Sequence, residues 1–280
     1  MKKYCFLNGK ITPLSKAKVN VSDIGLLRGY GVFDYLRSYN GRPFLFKEHF
    51  DRFKKSADQL KIKIPISEKK IEKVVNKLLI KNRIKNAGIR IVLTGGSSAD
   101  SINYDFNSPT FFILIDDLHS YPSFIYNKGV KLITFEYQRE KPNAKSNNYI
   151  TMVSLKELKE KKKAFEVLYT FNNHILEGST CNFFIFKRGT LVTSKDNILH
   201  GTRRNLVLGL AKGKFKTEER PIKLNEIKEA SEAFVTSTSR DIVPVVKVDN
   251  VIIGNGKVGK NTKYMMNLFQ EFVEKKSQKI

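Results

Sequence analysis

The chain has 280 residues, of which 41% are hydrophobic and 11% aromatic, so it can bury the cores of one or two domains and is neither disordered nor collagen-like. Its two cysteines, Cys5 and Cys181, exclude a disulfide framework and a cysteine-based zinc site, and they indicate a reducing, cytoplasmic location. The apolar run at 111–115 is far shorter than the roughly 20 residues that span a bilayer, so no membrane attachment is expected.

The net charge is strongly positive. Fifty-one basic residues against 27 acidic ones give +24, and the isoelectric point near 9.9 meets one criterion for nucleic-acid binding. The lysines are spread through nearly every segment, whereas nucleic-acid readers cluster arginines and aromatic residues on one element. The distribution therefore favours a solvated, lysine-rich surface over a nucleic-acid interface.

The N-terminal part shows a mixed pattern of strands and helices. Alternating apolar residues lead into Asn8-Gly9, a hairpin signal. Apolar residues at helical spacing predict a helix over 48–60 and a second helix after Ser67, which is expected to cap it. Strands are predicted at 89–93 and 110–115, around a polar loop. We therefore predict a smaller α+β domain over residues 1–118.

The C-terminal part begins after a stretch without periodicity, where we place a linker over 119–129. A larger α+β domain is predicted over 130–280, and it opens with a strand at 130–135. Its predicted helices span 148–162, 202–211 and 261–275. Its predicted hairpins turn at 172–173 and 187–189.

Two features that often mark functional sites are explained more simply by structure. The four histidines, His49, His119, His174 and His200, have no metal-ligand spacing, so no metal site is predicted. The loop at 94–98 contains two glycines, but it lacks the lysine of a phosphate-binding loop and does not lead into a helix. We interpret this loop as a hairpin turn.

Three other segments contain residues that could bind a ligand or take part in catalysis. Arg52 lies near the edge of an apolar helix face, where its guanidinium suits either a buried anion such as phosphate or an ordinary ion pair. Lys145 precedes a predicted helix and carries no signal alone. Glu177 ends a strand, and 199–204 lead into a helix whose N-terminus favours an anion.

Taken together, the motifs resemble the fold-type IV pyridoxal-phosphate (PLP) enzymes, which include branched-chain aminotransferases, D-amino-acid aminotransferases and 4-amino-4-deoxychorismate lyases. The resemblance covers almost the whole chain. The order and spacing of the motifs together are more specific than any single motif. The matching segments, besides Arg52 and Lys145, are NG at 8–9, VSDIG at 21–25, YGVFD at 30–34, EGSTCNFF at 177–184, LHGTRR at 199–204, VTST at 235–238 and VPV at 243–245. It implies a two-domain α+β fold, like that of D-amino-acid aminotransferase, and PLP as cofactor.

The resemblance also implies a role for each matching residue. Lys145 would be the catalytic lysine that joins PLP as a Schiff base, because Asn148 follows it at the family's spacing and no such residue follows Lys141. Glu177 would bind the pyridine nitrogen. The other implied PLP ligands are Arg52, the backbone of Thr202 and Arg203, Ser237 and Thr238 for the phosphate, Leu199 for a ring face and Tyr149 for the ring hydroxyl. The implied substrate residues are Tyr30, Arg37, Ser239 and Arg240.

Several positions depart from the family pattern. Thr202-Arg203 stands where Ile-Thr is usual, which costs little if only the backbone binds phosphate. His200 stands where proline is common, and Asp34 replaces the commoner glutamate. Arg240 occupies the place of a small residue, so it is either a trap for the substrate carboxylate or a surface arginine.

Within the family, the residues favour one specificity. The loop at 94–103 lacks the Arg and His of D-specific enzymes and the two arginines of the lyases, whereas 30–34 with Arg37 resemble branched-chain aminotransferases. The resemblance thus implies a homodimeric transaminase that moves an amino group between a branched-chain or similar L-amino acid and a 2-oxo acid by a ping-pong mechanism. The alternatives are a 4-amino-4-deoxychorismate lyase, a D-amino-acid aminotransferase or a non-catalytic relic that binds nucleic acid.

Overall fold

The computed structural model describes residues 3–118 and 120–278 and divides the chain into two units. The first unit contains 3–118 together with Ala144–Tyr149, and the second contains Ser120–Asn143 and 150–278. His119, the first residue of the predicted linker, lies outside the described residues. Neither unit is therefore continuous in sequence.

The first unit is a sheet covered by two long helices. Its described strands form a six-stranded antiparallel sheet in the order β2-β1-β6-β5-β3-β4. The elements are β1 (Tyr4–Leu7), β2 (Lys10–Pro13), α1 (Ile24–Leu27), β3 (Gly31–Tyr39), β4 (Arg42–Pro43), α2 (Phe46–Gln59), α3 (Glu68–Asn82), β5 (Ala87–Thr94) and β6 (Thr110–Asp117).

Local sequence explains these elements. Asn8 and Gly9 have φ of +43° and +94°, the left-handed pair that a tight hairpin needs. The Ser67 hydroxyl accepts a hydrogen bond from the Lys70 amide at 3.4 Å, which confirms the predicted N-cap of α3. Buried apolar side chains of α2 and α3 pack on the sheet, among them Phe53 and Leu78.

The second unit is built on a larger sheet. Its described strands form a ten-stranded sheet in the order β12-β11-β10-β14-β15-β7-β8-β9-β13, with β16 paired to β15. The elements are α4 (Phe124–Asn127), β7 (Val130–Glu136), α5 (Ile150–Ser154), α6 (Lys156–Lys161), β8 (Glu166–Phe171), β9 (His174–Gly178), β10 (Asn182–Lys187), β11 (Thr190–Thr193), α7 (Thr202–Ala211), β12 (Thr217–Glu219), β13 (Ile222–Lys223), β14 (Glu232–Ser237), β15 (Asp241–Val248), β16 (Val251–Ile252) and α8 (Lys260–Gln278).

The centre of this sheet is buried on both faces. Phe183 and Ile185 of β10 join one core, while Phe184 stacks on Phe234 at a ring-centroid distance of 4.8 Å. Strands covered on both faces read as continuous apolar runs, which is what β10 shows. The predicted hairpins at 172–173 and 187–189 are both present, each with residues at positive φ.

Three predicted boundaries differ from the structure. The segment predicted as a linker contains α4, and it belongs to the second unit because Ile125 is buried in its core. The helix predicted over 148–162 is divided at Leu155 into α5 and α6. Lys145, assigned to the C-terminal domain by the sequence, belongs to the first unit, since Ala144–Tyr149 pairs with β3. Among the described residues, no helix combines the length and hydropathy that crossing a bilayer requires.

Candidate active site

The candidate residues fall into two groups, one in each unit. In the first unit, the segment around Lys145 is held by the backbone of β3: the Phe33 amide donates to the Lys145 carbonyl, and the Asn147 amide donates to the Gly31 carbonyl, both at 2.9 Å. The Lys145 amide donates to the Ser56 hydroxyl of α2 at 3.1 Å. A Cβ on Gly31 would lie 2.6 Å from the Asn147 side-chain nitrogen, so this approach requires glycine. The backbone of Lys145 is thereby fixed from two sides.

The side chain of Lys145 lies against aromatic rings. Its Nζ is 4.6 Å from the centroid of the Phe33 ring and 3.4 Å from the Tyr149 hydroxyl. The rings of Phe33 and Tyr149 are 5.5 Å apart and form a wall beside the amine. Lys141, its competitor in the sequence, is exposed. The structure thus brings Lys145 and Tyr149 together as an amine next to a phenol.

Arg52 is held in a buried network on the same unit. Its Nε and Nη2 donate to the two Asp34 carboxylate oxygens at 2.8 Å each, and His49 Nδ1 lies 2.6 Å from the same carboxylate. Asp34 is fully buried, so the ion pair is not the rim pair considered from the sequence. Nη1 of Arg52 has no hydrogen bond to another described residue, and this edge suits an anion such as phosphate.

The environment of Asp34 favours its charged form. Burial alone raises the pKa of a carboxyl, but the charges and hydrogen bonds of Arg52 and His49 outweigh it and hold the pKa of Asp34 well below its usual range. The residue that replaces the family's glutamate therefore remains an anion that orients Arg52.

Replacing Asp34 by asparagine is expected to lower the free energy of unfolding at about pH 7 by roughly 3–5 kcal/mol, because Arg52 loses a buried anionic partner. Folding lowers the pKa of Asp34, so the ionised carboxylate contributes its full stabilisation to the folded state above the unfolded pKa of about 4. This contribution is lost as the pH falls from there through the lower pKa of the folded state. Urea unfolding at about pH 7 and pH 3 measures both effects. A wild-type-to-variant difference that stays constant over this range would contradict the assignment.

Tyr30 and Arg37, the predicted substrate residues of this unit, have aromatic neighbours. The Tyr30 hydroxyl donates to the Leu60 carbonyl and lies 3.1 Å from the Tyr104 hydroxyl. Burial, with a smaller contribution from Tyr104, raises the pKa of Tyr30 to about 12, so it remains a neutral phenol. The Arg37 guanidinium lies 4.9 Å from the centre of the Tyr39 ring. Their contact with substrate stays a prediction.

In the second unit, Glu177 is a buried and oriented carboxylate. Its Oε1 accepts hydrogen bonds from Nε and Nη2 of Arg139, the first at 3.1 Å, and its Oε2 accepts the Leu199 amide at 3.1 Å. Arg139 also donates to the Pro142 carbonyl at 3.0 Å. Arg139 was not predicted, because it is one of twelve arginines and has no distinctive spacing. The arrangement pairs Glu177 with a complementary charge and fixes the direction of its carboxylate.

The segment before α7 is held close to β10. The Asn182 side chain donates to the Leu199 carbonyl at 2.8 Å, and a Cβ on Gly201 would lie 2.2 Å from the Asn182 oxygen, so glycine is required here. Gly201 precedes the first turn of α7, which has neither a side-chain cap nor an acidic residue among the described residues. Such a helix N-terminus suits an anion.

The side chain of Arg203 explains one departure from the family pattern. It is 1% exposed, and its guanidinium lies 5.8 Å from the centre of the Phe269 ring of α8 and 3.6 Å from the Asp241 carboxylate. The side chain is therefore part of the packing of α7 on α8. The predicted contact of the Thr202 and Arg203 backbone with phosphate stays a prediction.

The hairpin turn between β14 and β15 carries the remaining candidates. Ser237, Thr238 and Ser239 are half-buried, and the Arg240 amide closes the turn on the Ser237 carbonyl at 3.4 Å. Arg240 corrects both sequence interpretations. Its guanidinium is buried and donates to Glu166 at 3.0 Å, so it is neither on the surface nor available to trap a substrate carboxylate.

The first unit thus carries an amine beside a phenol and an arginine edge that suits an anion, and the second carries an oriented carboxylate and a helix N-terminus that suits an anion. The model of the amino-transferase class IV family matches residues 31–248, and the chain belongs to this family. The recognition from sequence is confirmed, as is the assignment of the chain as a transaminase.

Individual relatives cover nearly the whole chain. A Methanocaldococcus jannaschii protein named "Putative branched-chain-amino-acid aminotransferase" is 34% identical over 277 residues, 95% of each chain. The D-alanine aminotransferase of Staphylococcus haemolyticus is 31% identical over 281 residues, 97% of this chain and 98% of its own. The structure of the Escherichia coli branched-chain amino acid aminotransferase matches with a TM-score of 0.90 at 24% identity, over 97% of this chain and 94% of its own, which confirms the predicted fold.

Proposed function

We propose that the chain is a PLP-dependent aminotransferase that moves an amino group between a branched-chain or similar L-amino acid and a 2-oxo acid. The observation that carries the proposal is the position of Lys145. Its backbone is fixed by β3 and α2, and its Nζ lies beside Phe33 and Tyr149. The name of the 34% identical relative supports the substrate class.

The residues fit the proposed cofactor. A phosphate group needs forked donors and backbone amides, and the resemblance assigns both Arg52 and the start of α7 to it. Nη1 of Arg52 has no hydrogen bond to another described residue, and the first turn of α7 has no acidic residue, so each by itself suits an anion. A protonated pyridine nitrogen needs a carboxylate partner, and Arg139 orients the Glu177 carboxylate. Leu199, Ser237 and Thr238 remain proposed ligands from the resemblance.

The chemistry requires a base that can also act as an acid. PLP, when bound, supplies an electron sink that stabilises negative charge at the substrate Cα. The free Lys145 amine would take the Cα proton and deliver it to the cofactor instead of back to Cα, and the Tyr149 hydroxyl at 3.4 Å provides a hydrogen-bond partner for the amine. The 2-oxo product leaves before the second 2-oxo acid binds, which is a ping-pong order. Tyr30, Arg37 and Ser239 are proposed to face the substrate.

The test is the visible spectrum of the purified protein with PLP, before and after L-leucine is added. We expect a band of lysine-bound cofactor that disappears as the cofactor takes the amino group. A band that L-leucine leaves unchanged would contradict the substrate while retaining the cofactor, and D-alanine and 4-amino-4-deoxychorismate would then be tested. Absence of any band would contradict the enzyme proposal itself.

A second specificity is favoured by one observation. The Staphylococcus haemolyticus relative, a D-alanine aminotransferase, is nearly as similar as the first relative. Against it, residues 94–103 contain no arginine or histidine that could bind the substrate carboxylate as in D-specific enzymes. Spectral conversion by D-alanine and not by L-leucine would establish this alternative.

The proposal extends to assembly and location. The family resemblance supports a homodimer, and the scarcity of cysteine supports a reducing, cytoplasmic compartment. Light scattering during size-exclusion chromatography tests the first point, with a mass near twice 32.1 kDa expected. A single-chain mass would contradict it.

A further inference from the structure

Arg240 and Glu166 form a buried ion pair that the family pattern does not anticipate. Both side chains are at least nine-tenths buried, and Nη1 and Nη2 of Arg240 each donate to Glu166 Oε2 at 3.0 Å. Because the charge of Arg240 and nearby hydrogen bonds outweigh burial, the pKa of Glu166 lies below its usual range. The pair is therefore ionised on both sides.

The carboxylate of Glu166 also binds the turn that follows Glu177. The Ser179 hydroxyl donates to Oε1 at 2.5 Å, and the Thr180 hydroxyl donates to Oε2 at 2.7 Å. The Val167 amide donates to Oε1 at 2.9 Å. Glu166 thus fixes residues 179–180, which directly continue the strand that carries the proposed cofactor carboxylate.

The guanidinium of Arg240 binds both turns. Its Nε donates to the Ser237 hydroxyl at 3.1 Å, and its Nη2 donates to the Thr180 hydroxyl as well as to Glu166. The Tyr126 hydroxyl of α4 donates to the Arg240 carbonyl at 3.3 Å. All three guanidinium nitrogens therefore have partners, and the planar fork joins the 237–240 turn to the 178–181 turn.

We propose that the Glu166–Arg240 pair is a positioning device that holds these two turns in one geometry, and that this geometry sets the affinity for the anionic groups of cofactor and substrate. The inference rests on the proposed function, which places the cofactor phosphate and the substrate at Ser237, Thr238 and Ser239. Arg240 acts through the turn and does not touch either ligand.

The physical reason lies in the two kinds of bond that Arg240 makes. A small residue at this position leaves the Ser237 hydroxyl and the turn backbone without a side-chain tether. Arg240 supplies that tether, and Glu166 neutralises the charge that the tether introduces into the interior. Arg240 tethers the turn only when Glu166 neutralises its charge, so the effects of substituting the two residues are expected to depend on each other.

The test uses a neutral pair, Glu166→Gln with Arg240→Met. The glutamine oxygen still accepts the Val167 amide, and no charge is left unpaired, so the double variant is expected to fold with a melting temperature close to that of the wild type. We expect its Kd for PLP and its KM for the 2-oxo acid to rise by about 10- to 100-fold, since small displacements of positioning groups have effects of this size. The Kd for inorganic phosphate on the cofactor-free protein is expected to rise in parallel.

The control is Arg220→Met, which removes another ion-paired arginine of the second unit, whose hydrogen bonds go to Glu218, Glu226 and Pro221. Its Kd values are expected to equal those of the wild type. Arg240→Lys keeps the charge but loses the forked guanidinium, so its Kd for PLP and for phosphate is expected to increase less than in the double variant. It replaces the double variant if that variant does not fold.

The outcomes separate this inference from the function on which it rests. Folded variants with wild-type Kd for PLP and phosphate would overturn the inference alone. An equally large increase of these Kd values in Arg220→Met would also overturn the inference, because the effect would then come from general destabilisation of the second unit. A wild-type protein that binds neither PLP nor phosphate would overturn the proposed function and this inference with it.

Discussion

Replacing Lys145 by alanine is expected to abolish cofactor that borohydride can trap on the protein. The amine that lies 3.4 Å from the Tyr149 hydroxyl is lost, and with it the group that we propose takes the Cα proton and delivers it to the cofactor. Loss of general acid–base catalysis alone lowers the rate by about 10²–10⁴-fold, and loss of the covalent link lowers it further. Mass spectrometry of the reduced protein and the rate of the L-leucine half-reaction measure the two effects.

Lys141→Ala is the matched control, because Lys141 lies four residues before Lys145 and is exposed. This variant is expected to keep both trapping and turnover. Trapping that persists in Lys145→Ala and disappears in Lys141→Ala would reverse the assignment. Circular dichroism of both variants establishes that neither result comes from unfolding.

Replacing Glu177 by glutamine is expected to leave PLP bound but to slow the half-reaction by about 10²–10³-fold. Glutamine retains the shape of the side chain and one oxygen for Arg139 or the Leu199 amide, and the proposed phosphate ligands are unchanged. It has no charge to stabilise a protonated pyridine nitrogen, and preorganised electrostatic groups contribute rate factors of this size. Stopped-flow absorbance with L-leucine measures the half-reaction separately from binding.

Glu229→Gln serves as the comparison, since Glu229 is an exposed carboxylate of the same unit and pairs with Lys187. Its half-reaction rate is expected to equal that of the wild type. If Glu177→Gln also turned over at the wild-type rate, Glu177 would have no electronic role. Loss of PLP affinity without a change in rate would make it a purely structural ligand.

The sequence predicted elements whose signals are local. The cap at Ser67 and the turn at Asn8-Gly9 depend on residues within a few positions of each other, and both are present. The motif order also identified the family, because it combines weak signals over most of the chain. It named Lys145 and Glu177 as candidates, and their roles remain predictions.

The sequence missed pairings between distant residues. Arg139 and Glu177 are 38 residues apart, and Arg240 and Glu166 are 74 apart, so no periodicity relates them. In a chain with 12 arginines, a single arginine has many possible partners, and only the fold selects one. The role of Asp34 was missed for the same reason, because β3 and α2 bring it to Arg52 only after they pack.

The assignment of Lys145 to the C-terminal domain was wrong for a related reason. A segment of six residues, Ala144–Tyr149, leaves the second unit and pairs with β3, more than a hundred positions earlier. Such pairing adds few apolar residues, so the hydrophobic pattern gives no indication of it. Backbone hydrogen bonds, which every sequence can make, determine the position of the lysine.

This interleaving of the two units has a consequence for synthesis and dissection. When a ribosome has completed residue 118, the first unit still lacks the segment that carries its lysine, and about thirty further residues must emerge before that unit can be completed. A truncated fragment ending at the boundary would have β3 without the Ala144–Tyr149 segment. Expressing either unit by itself therefore requires a rearranged gene, with residues 144–149 joined to the first unit by a designed connection.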